Sequence, residues 1–306
     1  MTALSPLTLD NKGKPTAGRP IAIFSDFDGT IFMQDTGHIL FDHHGCGPEK
    51  REYLDESIST GEKTFRGASE EMWGSLHVTL DEGFKTLKSH LVMDDGFKDF
   101  FNYTTQHKIP FNVISAGLKP LLRHVLDETM GEEQSARIGI VSNDAKITED
   151  GSVWTPIWRH DSELGHDKAQ SIQDYKDSCV GEIPLIVFIG DGVSDLAAAG
   201  QADVLFARQG LKLEQYCIKN KIPYIPYNSF SDIKRNLHVL VDGNENHLKS
   251  DDSITVSVAP SGSSSIPPGS NYGSGSSSDE ESVSSLHSIE KRPPLRSMLS
   301  GVAYAV

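Results

Sequence analysis

IAIFSDFDGT, residues 21–30, passes within ten positions from an unbroken apolar run to two acids and a turn. Ile21 to Phe24 carries no polar interruption, as a strand buried on both faces requires. Asp26 and Asp28 then alternate on an extended segment, so both can face one cleft. Gly29 lets the chain turn away. In a parallel sheet, ligands bind in the crevice beyond the carboxyl ends of the strands. Asp-Gly alone is a common turn pair, but two alternating acids directly after a buried strand point to a site.

Working outward from this stretch, comparable apolar runs occur at 111–115, 138–141, 185–189 and 204–207, and helical patterns lie between them at 117–130, 167–177, 194–200 and 211–219. Strands that alternate with helices predict an α/β fold: a doubly wound, Rossmann-like parallel sheet with helices on both faces. Between Ile31 and Met93 the rhythm breaks, because no strand pattern appears. Thr79 and Glu82 have capping-box spacing, and Phe65, Ser69, Met72, Trp73 and Leu76 fall on one helical face. The expected organisation is therefore a flexible N-terminal segment at 1–20, a catalytic core at 21–34 and 94–241, and a helical cap at 35–93. A disordered tail rich in Ser and Gly follows at 242–306.

Composition agrees with this division. Only 37% of the 306 residues are hydrophobic, so part of the chain lies outside any core. The tail, dominated by Gly, Ser, Pro and Asn, cannot bury enough apolar surface to offset its ordering entropy. The serines just before Asp279 are candidate phosphorylation sites, and the tail is a candidate protein-binding segment. The net charge of -15 argues against a nucleic-acid partner. The first twenty residues lack the apolar run of a signal peptide, and no run is long enough to span a bilayer. Cys46, Cys179 and Cys217 are scattered. These features predict a soluble protein of the reducing cytoplasm, with no membrane partner and with nuclear access left open. His43, His44 and Cys46 invite a metal reading, but adjacent histidines point apart on regular structure.

Three further pieces follow residues 21–30 in order. Ser115 closes the second apolar run, in Val113-Ile114-Ser115-Ala116-Gly117. Lys168 stands in Gly165-His166-Asp167-Lys168. An acidic motif runs from Gly190 to Asp195, with Asp191 and Asp195, after the run at 185–189. Together with Asp26-Phe27-Asp28-Gly29-Thr30 they resemble the motif set of haloacid-dehalogenase-like phosphatases, over about Ile21 to Val241. The inserted helices resemble the cap of the phosphoserine-phosphatase-like branch. Within that branch the body looks most like fungal phosphatases acting on polyol or sugar phosphates.

The resemblance implies specific roles. Asp26 is the nucleophile that forms an aspartyl-phosphate, which splits the reaction into two steps. Asp28 is the general acid and later the general base. Its presence favours a phosphatase or phosphomutase over a dehalogenase, because halide leaves without a proton. Asp26, the backbone carbonyl of Asp28, and Asp191 are the implied ligands of Mg2+, with Asp195 behind them. Ser115, Ala116, Gly117 and Lys168 grip the phosphoryl oxygens, the amides standing at a helix start. The expected substrate is a small phosphorylated metabolite. Asp35 lies where phosphoserine phosphatases carry a Glu, whereas Met72 stands near the position of their cap Arg, and an apolar Met cannot pair a carboxylate. Asp35, His38 and Arg66 are candidates for hydroxyl contacts. Trp154 and Trp158 read as packing residues. Competing readings are a phosphoserine phosphatase, a phosphomutase, and a non-catalytic interaction protein working through its tail.

Overall fold

The computed structural model describes residues 19–242. The expected N-terminal segment and tail, with the phosphorylation and protein-binding readings of the tail, lie outside the described residues. Along the chain the elements are β1 (Ile21–Ser25), α1 (Thr36–His44), α2 (Pro48–Thr60), α3 (Phe65–Gly74), α4 (Leu80–His90), α5 (Phe97–Gln106), β2 (Phe111–Leu118), α6 (Lys119–Met130) and α7 (Glu132–Ser135). They continue with β3 (Gly139–Ile147), β4 (Trp154–Ile157), α8 (Lys168–Ser178), β5 (Leu185–Gly190), a short 3-10 turn (Val193–Asp195), α9 (Leu196–Ala199), β6 (Val204–Arg208), α10 (Lys212–Asn220), β7 (Ile225–Tyr227) and α11 (Phe230–Asp242).

The strands form one sheet in the order β4-β3-β2-β1-β5-β6-β7. All neighbours run parallel except β4, which pairs antiparallel with β3. β1 sits between β2 and β5, at the point where the order reverses. The run of side chains explains the burial. Ile23, Val187 and Phe206 face one side and join the core built by α5, α6 and α11. Ala22, Phe24, Ile186, Phe188 and Leu205 face the other side, against α8, α9 and α10. Because successive strand residues point to opposite faces, a strand covered on both must be apolar throughout.

Two strands depart from the expectation drawn from sequence. β3 extends well past residue 141 to Ile147, and β4 contains Pro156, a residue that weakens a strand signal but is tolerated at a sheet edge. β4 supports the helical insert: Trp154 is buried, its Nε1 donates to Val78 O at 2.9 Å, and its ring stacks on Trp73 at 6.4 Å. Trp158 donates to Glu70. Both tryptophans pack against the insert, as expected. Thr79 caps α4, accepting from Glu82 N and donating to its carboxylate. Apolar residues of the insert, among them Leu40, Met72 and Leu87, belong to the same buried cluster as one face of the sheet. No helix among the described residues is long and apolar enough to cross a membrane.

A buried ion pair ties the insert's end to the far strands. Asp94 accepts from Arg208 Nη2 at 3.0 Å, and from the amides of Gly96 and Phe230, each at 3.0 Å. Arg208 also donates to the carbonyls of Thr30 and Asn228. Asp94→Ala should strand a buried guanidinium and two amides, which costs about 3–5 kcal/mol. Urea unfolding should show the corresponding fall in midpoint, with an unchanged slope.

Candidate active site

The register of the central strands assembles the site. Ser25 lies opposite Ile189, and Asp26 N donates to Ile189 O at 2.9 Å. The loops after β1 and β5 therefore leave the sheet side by side. Gly29 turns the first loop at φ 74°, a conformation that glycine adopts freely. A Cβ there would lie 2.4 Å from Asp191 Oδ2, so the close approach also excludes any side chain. Thr30 Oγ1 donates to Asp191 Oδ1 at 2.7 Å and locks the two loops together.

Lys168 opens α8 and is buried. Its Nζ lies 2.9 Å from Asp26 Oδ1 and 2.8 Å from Asp195 Oδ1. The other oxygen of Asp195 accepts from the amides of Asp191 and Gly192, both at 3.0 Å. Both oxygens of Asp195 are thus engaged by the protein. Asp28 Oδ1 accepts from Thr36 N at 2.8 Å. Ser115 lies at the carboxyl end of the neighbouring strand, and its Oγ accepts from Gly117 N at 2.9 Å.

Here one expectation is corrected. Ala116 and Gly117 are not at a helix start. β2 continues through them to Leu118 with a register irregularity, and α6 begins only at Lys119. A side chain fixes this bulged segment instead: Asn143 Nδ2 donates to Ala116 O at 2.8 Å.

The charge balance is uneven. One ammonium stands among Asp26, Asp28, Asp191 and Asp195. Burial drives the Asp26 carboxyl well above the usual range, and repulsion from Asp195 and Asp191 adds to this against the pull of Lys168. Burial and then Asp35 raise Asp28. Burial and Asp195 push Asp191 up to about 6. Burial disfavours the charged form of Lys168, but Asp195 and Asp26 outweigh it, so the ammonium stays charged. Asp26, Asp191 and Asp195 each offer one carboxylate oxygen within 4.8 Å of the others. Such an oxygen-only donor set with excess negative charge suits a hard divalent cation. His43, His44 and Cys46 form no comparable cluster among the described residues.

A cavity of about 240 Å³ stands over these groups, between the sheet's mouth and the helical insert. Asp26, Asp28, Ser115, Ala116, Gly117, Lys168 and Asp191 all line it. Asp35 lines it too, although its Oδ1 accepts from His38 N as the cap of α1. Arg66 does not reach it. Its guanidinium pairs with Glu70 and Asp161 at 3.1 and 2.9 Å, over the Trp158 ring. Residues without an assigned role in the sequence reading also build the site, above all Thr30, Asn143 and His166. The buried His166 accepts from Ser171 Oγ through Nε2 (2.9 Å) and donates through Nδ1 to Ser115 O (2.7 Å). The Ser115 carbonyl can only accept, which fixes this tautomer, and Ser171 Oγ also accepts from Arg159 Nε. The only sequence signal for His166 was its place two residues before Lys168.

A family model described as haloacid dehalogenase-like hydrolase matches residues 23–200. The chain belongs to this family. Among the relatives of this hydrolase, the Pdp3-interacting factor 1 of Schizosaccharomyces pombe is 36% identical over 72% of the chain and 96% of that protein. A polyol phosphate phosphatase of Saccharomyces cerevisiae is also 36% identical, over 72% of the chain and 94% of its own length. A solved phosphoserine phosphatase bearing a phospho-aspartyl intermediate analogue shares the fold with a TM-score of 0.50. The two are 13% identical, and the match covers 65% of this hydrolase and 90% of that chain.

Burial lowers the His166 imidazole from 6.5 to about 3. Below pH 6.5 the unfolded chain takes up a proton that the folded chain refuses, so stability falls with pH through this residue. The contribution is about 2 kcal/mol between pH 7 and pH 5. His166→Asn keeps a donor toward Ser115 O and removes the titration. Urea midpoints at the two pH values should therefore fall less in the variant than in the wild type, by that amount.

Proposed function

We propose that the chain is a magnesium-dependent phosphatase of small phosphomonoesters, with a polyol or sugar phosphate as substrate and Asp26 as nucleophile. The observation that carries the reading is the Lys168 ammonium bridging Asp26 and Asp195, beside Asp28 and Asp191, at the carboxyl end of the central strand. Membership in the hydrolase family supports the chemistry, and the named activity of the yeast relative supports the substrate class. A cavity of about 240 Å³ suits a small ester.

In this reading the substrate's phosphoryl group lies against Lys168, the Ser115 hydroxyl and the amides of Ala116 and Gly117. An Asp26 carboxylate oxygen attacks phosphorus while the bond to the leaving oxygen breaks. Asp28 Oδ2 gives its proton to that oxygen, and Thr36 N holds Oδ1 so that the carboxyl keeps its aim. Water then attacks the aspartyl-phosphate, Asp28 takes a proton from it, and inorganic phosphate and the Asp26 carboxylate are regenerated. Asp26, Asp191 and the carbonyl of Asp28 would hold Mg2+, which when bound offsets the repulsion between the carboxylates and the phosphate. Asp195 keeps Lys168 and the loop at Asp191 in place. Residues 35–93 serve as the cap that excludes bulk water from the reaction.

Phosphate release should require Mg2+ and stop with EDTA in the wild type, and Asp26→Asn should abolish it while leaving the circular dichroism spectrum unchanged. Near-normal hydrolysis by that variant rejects the nucleophile. Asp28→Asn should slow the first-turnover release of an alkyl leaving group by about 10²–10⁴-fold. The loss should be smaller for p-nitrophenyl phosphate, whose phenolate departs without a proton. Equal losses on the two substrates would remove Asp28 from the general-acid role.

A further inference from the structure

We infer that Asp55, set against His38, is the specificity-determining residue of the cavity, selecting leaving groups that are neutral and carry hydroxyls and rejecting those with a second anionic group. The inference rests on the phosphatase reading and goes beyond it, by naming the residue and the feature of the leaving group that it reads.

Asp55 stands on α2 and His38 on α1, and both line the cavity that holds Asp26. They also line an adjoining cavity of about 550 Å³, which shares Lys168 and Asp191 with the first. The pair thus stands where a leaving group would extend away from the phosphoryl site. Apolar side chains stand beside it: Ile58 and Phe65 border both cavities, and Met72 and Trp73 border the first. A carbon chain fits such walls, but its hydroxyls need polar partners.

The partners of Asp55 leave it with capacity. Its Oδ2 accepts from Arg51 Nη1 at 3.2 Å and lies 3.5 Å from His38 Nε2, too long for a good hydrogen bond. Its Oδ1 has no hydrogen-bond donor among the described residues. Both side chains are partly open, Asp55 at 35% and His38 at 42%. A substrate hydroxyl can therefore donate to the carboxylate and meet the imidazole without displacing any protein contact. Arg51 gives the carboxylate a firm mount. Its Nε and Nη2 grip both oxygens of Asp42, at 2.6 and 3.1 Å, so the guanidinium is held independently of Asp55.

The charge of the cavity explains the rejection. Asp35 and Asp55 supply negative charge on the insert side. In the cavity that holds Asp26, the one lysine of the wall is already shared between Asp26 and Asp195. A carboxylate or second phosphate held within that cavity would meet acceptors and like charge, with no free ammonium or guanidinium in its wall, since Lys212 borders only the adjoining cavity. An unpaired acceptor discriminates strongly against a partner that cannot donate.

The test compares glycerol 3-phosphate, 3-phosphoglycerate and p-nitrophenyl phosphate in the wild type, Asp55→Ala and Asp55→Asn, all with Mg2+. The first two substrates differ by a carboxylate in place of a terminal hydroxymethyl. The wild type should favour glycerol 3-phosphate over 3-phosphoglycerate by at least about 100-fold in kcat/KM. Asp55→Ala should cut the ratio of kcat/KM for glycerol 3-phosphate to that for p-nitrophenyl phosphate by about tenfold, mainly through KM. Asp55→Asn keeps an acceptor and loses the charge. It should hold that ratio within about threefold while narrowing the rejection of 3-phosphoglycerate by about tenfold. The inference is overturned by a wild type that accepts both natural esters alike, by an unchanged ratio in Asp55→Ala, or by equal losses on all three substrates in both variants. A wild type inactive even on p-nitrophenyl phosphate overturns the phosphatase reading, and the inference with it.

Discussion

A single buried ammonium holds the centre of this molecule together. Lys168 reaches two carboxylates that come from different strands, and each of those carboxylates fixes something further. Asp26 follows the middle strand of the sheet, whereas Asp195 collects the amides of the loop that presents Asp191. Thr30 closes the ring by bonding Asp191 from the first loop. The parallel register of β1 and β5 is therefore a condition of the site. The excess of acids over bases in this ring is unfavourable for an isolated protein and useful for a catalyst. A group of this kind gains from a divalent cation and retains a proton on one carboxyl, both of which phosphoryl transfer uses.

Much of the core was legible because burial on both faces leaves no freedom of composition. β1, β5 and β6 read as continuous apolar runs, and the acids directly after β1 and β5 marked the sheet's mouth. What escaped notice had weaker or misleading local signals. β4 and β7 are short, and each contains a proline, so edge pairing rather than residue preference makes them strands. α11 is absent from the helical patterns given above, although Phe230, Ile233, Leu237 and Leu240 recur at helical spacing and are buried in the core. Ala116 and Gly117 line the cavity but stand in an irregular strand instead of the expected helix start, because a bulge leaves no sequence mark. His166 had no signal of its own, since a lone histidine reads the same whether buried or solvated.

The insert illustrates a different limit. Its helices were predictable from capping and periodicity, but which of their polar residues face the cavity depends on how the helices are set against the sheet. Arg66 was a reasonable candidate by type and lies outside the cavity, held by Glu70 and Asp161. Nothing sets Asp55 apart within the charged run of α2, yet it lines the wall. The acids of the site thus sit just past strand ends, where sequence order constrains geometry closely. The cavity's other wall is built from packed helices, where it does not.

The antiparallel edge strand has a consequence for how the molecule fails. β1 keeps a hydrogen-bonded neighbour on each side, whereas β4 has one among the described residues, and through Trp154 it also braces the helical roof. Local opening starts at such borders, where the fewest bonds must break. On warming, then, the roof loosens while β1 is still seated between its neighbours. The geometry at the sheet's mouth thus outlasts the shape of the cavity above it.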